Sequence, residues 1–143
     1  MIDPVVLDAD WSIDQDELMR LRTEVFVIEQ NVPPALEVDG RDPECRHAKA
    51  LLGDQVVGTG RLLPTGYIGR MCIKKTCRGR GIGGLILENL VAQAVQDGHS
   101  SVFLNAQTSA IGFYRKHGFV VDSEEFIEAG IPHQRMSLEL RNI

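Results

Sequence analysis

The chain has 143 residues, 43% of them hydrophobic, and carries a net charge of −5. One domain of that length buries about 70% of the surface of its unfolded form, so a core can form without metal or disulfide staples. The acidic balance argues against nucleic acid as the main partner, and no apolar run approaches the roughly 20 residues that span a bilayer.

Cys45, Cys72 and Cys77 cannot all pair and lack a close metal-ligand spacing, so reduced thiols and no metal are expected. Asp3, Asp8 and Asp10 stand where a signal peptide would be basic, and a cytoplasmic location follows as the expectation. Charge is unevenly spread. Residues 1–44 hold twelve acids and three bases, a net of −9, and the remainder holds eight acids and twelve bases, a net of +4. This polarity predicts either two ligand surfaces of opposite sign or two solvated faces.

In chain order, Val5–Leu7 is a short strand candidate. Ser12 and Gln15 have the spacing of a capping box, and Leu18, Leu21, Val25 and Ile28 recur at helical spacing, predicting a helix over 13–28. Asp14, Asp16 and Glu17 fall in its first turn, at the positive dipole end. Asn31-Val32-Pro33-Pro34 stops it, and a loop runs through Pro43. Ala48–Leu52 and Gln55–Leu63 read as strands joined at Gly53-Asp54, and a Pro64-Thr65-Gly66 turn leads into a strand over 67–73. Residues 81–97 form the clearest helix, with one apolar stripe and Gly98 as its stop. Ser101–Asn105 is a short buried strand and Ala110–His117 a short helix. Strands follow over 119–121 and 136–140. The fold class is α+β (mixed α/β), in one domain spanning 1–143.

Arg78-Gly79-Arg80-Gly81-Ile82-Gly83 joins a strand to the clearest helix. A glycine-rich turn there aims free backbone N–H groups at one point beside a positive dipole end, which makes an anion site. No Lys-Ser/Thr follows the glycines, against a P-loop. The mid-chain position after hairpin strands, with no repeated βαβ, argues against a dinucleotide fold. A second site runs from Asn105, at a strand end, to Phe113-Tyr114-Arg115-Lys116-His117-Gly118-Phe119. Phe113 and Tyr114 are helical neighbours about 100° apart, so one can enter the core while the other faces a cleft.

Arg78-x-x-Gly81-x-Gly83, followed by Asn105 and Phe113-Tyr114-x-x-x-Gly118-Phe119, resembles the two signature motifs of the GCN-related (GNAT) N-acetyltransferase superfamily. The resemblance extends to its small bacterial ElaA/YjcF-like branch. It is carried by Arg22-x-Glu24-Val25-Phe26-Val27-x-Glu29-Gln30-Asn31-Val32-Pro33, Val57-Gly58-Thr59-Gly60-Arg61, Leu104-Asn105-Ala106-Gln107 and Glu128-Ala129-Gly130-Ile131-Pro132-His133.

The resemblance implies a mostly antiparallel mixed sheet, splayed between the strands at 67–73 and 101–105 and flanked by helices, with acetyl-CoA in the gap. Backbone groups of Met71 and Ile73 would hold the thioester and pantetheine arm, beside Cys72. Amides of Arg80, Gly81, Gly83 and Gly84 would take the pyrophosphate, in a turn completed by Arg78, Gly79 and Ile82. Asn105 and Phe113 would flank the pantetheine, and Tyr114 would protonate the departing thiolate. Transfer would go directly from thioester to a primary amine, with no enzyme-bound intermediate.

Those roles suit the residue types. A phenol of pKa about 10 is protonated at neutral pH and can donate to a sulfur anion. The acceptor amine must be neutral to attack; for a lysine-like pKa this costs about 4–5 kcal/mol at pH 7. The candidate bases are Glu29, Glu37, Asp39, His47 and His133, with Glu29 and His133 foremost, and Glu29, His47, Arg61 and His133 are candidates for binding the acceptor. Arg61 and Arg70 lie in strands and need either an acid of the N-terminal loop or an acidic acceptor group. Cys72, alternating with Met71 and Ile73, reads as a packing residue. The acidic N-terminal part motivates a cationic acceptor. A monomer or homodimer is expected. The alternatives are an acyl-CoA-binding regulatory protein without turnover and a nucleotide-binding module using the glycine turn.

Overall fold

The computed structural model describes residues 2–140. Four antiparallel strands come first: β1 (Val5–Ala9), β2 (Arg46–Leu52), β3 (Gln55–Leu62) and β4 (Ile68–Ile73), ordered β1-β2-β3-β4. The second group contains β5 (Ser101–Gln107), β6 (Val120–Val121), β7 (Phe126–Glu128) and β8 (Ile131–Glu139). There β8 pairs with β5 on one side and with β6 and β7 on the other. The two groups meet at a single parallel bridge, Tyr67 to Phe103, and Phe103 N–H donates to the Gly66 carbonyl at 3.1 Å. Beyond that bridge β4 and β5 diverge, and each turns an unpaired edge to the gap. This is the mixed, mainly antiparallel and splayed arrangement expected.

Helices cover both faces of the first group. α3 (Ile82–Gln96) packs on one face through Ile82, Ile86, Leu90 and Ala94, against Ala48, Ala50, Val57 and Leu62. Contact is close because β3 has no side chain at Gly60, where a Cβ would lie 2.9 Å from Leu90 Cδ1 and 3.0 Å from Met71 Cγ. On the other face α1 (Trp11–Arg22) and its extension supply Leu21 and Val25 to a small cluster with Cys72. Met71 and Ile73 join the α3 side, so β4 alternates as its period of two requires.

The helix expected over 13–28 differs in its start, course and end. Asp10, not Ser12, caps α1: its carboxylate accepts from Ser12 N–H at 3.0 Å, while Asp14 Oδ2 accepts from Asp10 N–H at 2.9 Å. Two carboxylates thereby do the work expected of Ser12 and Gln15. After Arg22 the helix widens into a π-helical segment, Thr23–Glu29, ending with Gln30 N–H on the Val25 carbonyl. Five-residue bonding changes the angular phase, so Ile28 faces solvent although it continues the 3.6-residue spacing. The following segment is more than a loop. Pro34 occupies the first turn of a short helix α2 (Pro34–Glu37), and a 3₁₀ turn covers Asp42–Glu44.

A short helix α4 (Ile111–Lys116) leads to β6. β8 starts five residues before the strand expected over 136–140, and the unexpected β7 pairs with its beginning. Glu128 opposes Ile131 across the two-residue turn Ala129-Gly130, and both turn residues have positive φ (52° and 76°).

Candidate active site

The edge of β4 is distorted where the two strand groups separate. Thr59 pairs with Cys72 and Arg61 with Gly69, so two steps along β3 oppose three along β4. The extra residue is a β-bulge, and within it Arg70 takes a φ of +51°. A bulge here redirects backbone groups of β4 at the mouth of the gap.

Two cavities open off the gap. The first, about 610 Å³, runs from β4 to the start of α3 and α4. Of the residues expected around acetyl-CoA, all but Arg80 and Asn105 line it. At its α3 end, Gly79 and Gly81 have φ of +82° and +77°, and Gly81 caps the helix in the left-handed conformation that glycine adopts without a Cβ penalty. Among the described residues no side-chain hydrogen bond caps this end, which leaves the first N–H groups of α3 without an intrahelical or side-chain partner. Arg80 is exposed beside the turn. Arg78 is committed elsewhere: Nη1 and Nη2 each donate to the Glu29 carboxylate at 2.7 Å, and Nε donates to the Ile73 carbonyl at 3.0 Å. It braces the turn against the end of the first helix.

The second cavity, about 450 Å³, lies across the gap toward β5, α2 and the β7–β8 turn. Asn105 lines this cavity, with its amide donating to Glu128 Oε1 at 3.2 Å, instead of flanking the first. Met71, Gln30 and Tyr114 line both cavities and therefore mark their junction. Tyr114 is wedged edge-on between Phe113 (5.0 Å between ring centroids) and Phe119 (6.0 Å). Burial, followed by neighbouring Tyr67, pushes its phenol pKa up. Tyr67 also lines the second cavity, and burial followed by the charge of Glu128 raises its phenol pKa.

His133 lines the second cavity, buried and stacked on Phe126. Its Nδ1 is 2.7 Å from the Ile131 carbonyl. A carbonyl only accepts, so Nδ1 carries a proton, and Nε2 lies 3.6 Å from Glu128 Oε2.

Glu29, His47 and Arg61 line neither cavity. Glu29 is held by Arg78, whose hydrogen bonds lower its carboxyl pKa, so it is poorly placed and poorly poised as a base. His47 is buried under Trp11 at 4.7 Å, with Nε2 on the Asp42 carbonyl at 2.9 Å, and burial lowers its pKa. Arg61 is buried in a network of three guanidiniums and three carboxylates. It pairs with Asp39 and Asp42, Arg22 pairs with Glu37 and Asp42, and Arg70 reaches Asp39 and the Glu37 carbonyl. The ion-pair reading of Arg61 and Arg70 therefore describes them, and the acceptor-binding readings of His47 and Arg61 do not. Outside this network Asp14 pairs with Lys49, Glu44 with Arg41 and Glu29 with Arg78, so six of the twelve acids in residues 1–44 are in ion pairs among the described residues.

Sequence reasoning assigned no role to Gln30 or Tyr67. Gln30 follows Glu29 within a quoted motif, and Tyr67 opens a strand after a turn; neither position by itself signals a cleft.

Residues 12–140 match the family described as acetyltransferase (GNAT) domain. The chain is 46% identical over 120 residues to the uncharacterized N-acetyltransferase YjcF of Bacillus subtilis (strain 168), over 81% of this chain and 86% of that protein. It is similar in structure to an acyl-CoA N-acyltransferase from Pseudomonas aeruginosa, with 32% identity, TM-score 0.81, and 96% and 99% of the two chains covered. Escherichia coli ElaA is similar at 29% identity and TM-score 0.82, with 97% and 100% covered. With a match running from the first helix into the last strand, and relatives covered over most of their length, the chain belongs to the GNAT acetyltransferase superfamily, in its ElaA/YjcF-like branch.

Proposed function

We propose that this chain transfers an acetyl group from acetyl-CoA directly to a primary amine. The observation that carries the reading is the junction of two cavities at Tyr114, one ending on a glycine-capped helix and the other lined by His133. The first cavity suits acetyl-CoA in kind. The bulged, unpaired edge of β4 offers strand-like hydrogen bonds to the amide-bearing pantetheine arm, and the free N–H groups of α3 suit its pyrophosphate.

In this reading Arg78 positions the turn without touching phosphate, and Arg80 supplies local charge. The amine enters from the second cavity, loses its ammonium proton to solvent, and in its neutral form attacks the thioester carbonyl carbon. His133 Nε2 takes the amine proton, and the resulting imidazolium pairs with Glu128. The C–S bond breaks, and Tyr114 gives its proton to the thiolate. Between turnovers the imidazolium gives its proton to water and water returns one to the phenolate, so both groups regain their starting states.

The test is enzyme-dependent release of CoA from acetyl-CoA with pooled primary amines, with mass detection of the N-acetyl product. Release that depends on both enzyme and amine is the expected result. Tight acetyl-CoA binding without release would overturn the reading in favour of a regulatory acyl-CoA-binding protein. Tighter binding of ATP or NAD than of CoA would favour a nucleotide module.

A further inference from the structure

Glu37, a residue lining the second cavity, carries a buried carboxylate oxygen with no protein partner among the described residues. Glu37, at the end of α2, lines this cavity and is 2% exposed. Its Oε1 accepts from Arg22 Nε. Arg70, which lines the same cavity, brings its Nε within 3.9 Å of the same Oε1, and the remaining guanidinium N–H groups close to Glu37 are directed elsewhere. Arg22 Nη1 donates to Asp42 and Nη2 to the Glu37 carbonyl, while Arg70 donates to the carbonyls of Glu37 and Leu36. Glu37 Oε2 is left without a hydrogen bond among the described residues. The other buried side-chain atom in that condition, Arg61 Nε, belongs to a residue that lines neither cavity.

A desolvated carboxylate oxygen is among the strongest acceptors a protein can present, and one without a partner on a residue that lines a cavity favours a cationic N–H donor. Arg22 holds the carboxylate in place, so the oxygen is preorganised for its ligand. Glu128, the cavity's other acid, is less suited to this task. It is about half exposed, its Oε1 takes the Asn105 amide, and its Oε2 faces His133.

We propose that Glu37 Oε2 is the cation anchor of the acceptor site, taking a hydrogen bond from an ammonium group, so that accepted substrates enter as alkylammonium cations. Arg22 is the positioning residue that fixes the anchor. The inference relies on the proposed function for the identity of the cavity as the acceptor site; its test does not depend on acetyl transfer.

The test is calorimetric titration of the CoA-saturated protein with n-butylammonium and with the isosteric neutral 1-butanol at matched ionic strength. The expected result is a preference for the ammonium of about tenfold or more, lost in a folded Glu37→Gln variant. Absence of ammonium binding, equal binding of the two probes, or a preference that survives in Glu37→Gln overturns the proposal. Loss of the preference only in Glu128→Gln assigns the cation to Glu128 and also overturns it. Should Glu37→Gln fail to fold, a wild-type crystal soaked in n-butylammonium decides: nitrogen at hydrogen-bond distance from Oε2 supports the anchor, and nitrogen elsewhere refutes it. Glu37-dependent binding without CoA release refutes the proposed function alone. Turnover whose amine KM is unmoved by Glu37→Gln refutes the anchor alone.

Discussion

Arg78 and Glu29 grip each other through two parallel hydrogen bonds of 2.7 Å, joining the turn before α3 to the end of the first helix. The third arm of Arg78, Nε to the Ile73 carbonyl, ties β4 into the same clamp. The pair therefore spans the elements that border the first cavity. Glu29→Gln keeps one carbonyl acceptor and loses the charge-assisted fork. The expected outcome is a several-fold rise in the KM for acetyl-CoA, with kcat and its dependence on pH unchanged. Steady-state kinetics from pH 5 to 9 checks this; an acid limb that disappears in Glu29→Gln would return Glu29 to the role of base.

Local signals made α3 and its glycine turn legible. A Gly-x-Gly pair before an apolar stripe of 3.6-residue period implies both helix and cap, and Gly81 sits at the cap with positive φ. The β7–β8 hairpin was not legible, because Ala129 adopts positive φ at the first turn position, where glycine or asparagine is usual, and Gly130 alone marks the turn. Nor could pattern separate the roles of the acids. Glu37 and Asp42 lie in a polar stretch that reads as a solvated loop, and their burial follows from arginines brought in by α1, β3 and β4. The same long-range pairing keeps Arg61 out of both cavities. His133 and Tyr114 were legible as residue types, while the cavity each lines depends on the divergence of β4 and β5.

Tyr114→Phe removes one oxygen from the junction and leaves the ring packed between Phe113 and Phe119. The expected result is a loss of about 10²-fold or more in kcat, with acetyl-CoA binding retained. Because burial raises the phenol pKa, Tyr114 stays protonated at least to its ordinary value of 10. Wild-type kcat should therefore show no loss from Tyr114 ionisation across pH 7–9. A variant with unchanged kcat throughout that range removes Tyr114 from the reaction.

His133→Gln tests the other side of the junction. Glutamine can still donate to the Ile131 carbonyl but offers no basic nitrogen. The expected outcome is a kcat lower by about 10²-fold at pH 7 and partial recovery at higher pH, where more of the amine is already neutral. A loss that is constant with pH and confined to amine KM would make His133 a binding residue only.

Cys72 lies against Leu21 and Val25, and burial pushes its thiol pKa up to about 12. Its thiolate is therefore scarce at neutral pH, which disfavours a covalent acetyl-enzyme. Cys72→Ala should keep kcat within about twofold and lose about 1–2 kcal/mol of stability as a small packing defect. Double-reciprocal plots with acetyl-CoA and amine varied together should intersect. Parallel lines, with activity abolished in Cys72→Ala, would establish a ping-pong route through the thiol.

The buried network predicts how stability falls in acid. Hydrogen bonds from Arg61 lower the Asp39 pKa against the opposing effect of burial; burial also acts to raise Asp42, but Arg22 and Arg61 outweigh it. Both carboxyls thus have folded-state pKa values below the ordinary 3.8, so on acidification the unfolded chain takes up their protons first. Their contribution is present above about pH 4 and is lost as pH drops through the lowered folded values. Arg61→Met leaves Asp39 short of its main partner and Asp42 with Arg22 alone. At pH 7 this should cost about 3–5 kcal/mol, the usual consequence of removing one member of a buried pair. At pH 3 the unfolded chain is largely protonated at both positions while the folded wild-type pairs are still ionised, so the pairs' contribution has begun to fall, and protonation relieves the uncompensated acids of the variant; the difference between the two proteins should therefore narrow. Urea denaturation of both proteins at pH 7 and pH 3 measures it, and a gap that stays constant would mean that Asp39 and Asp42 do not carry the acid sensitivity.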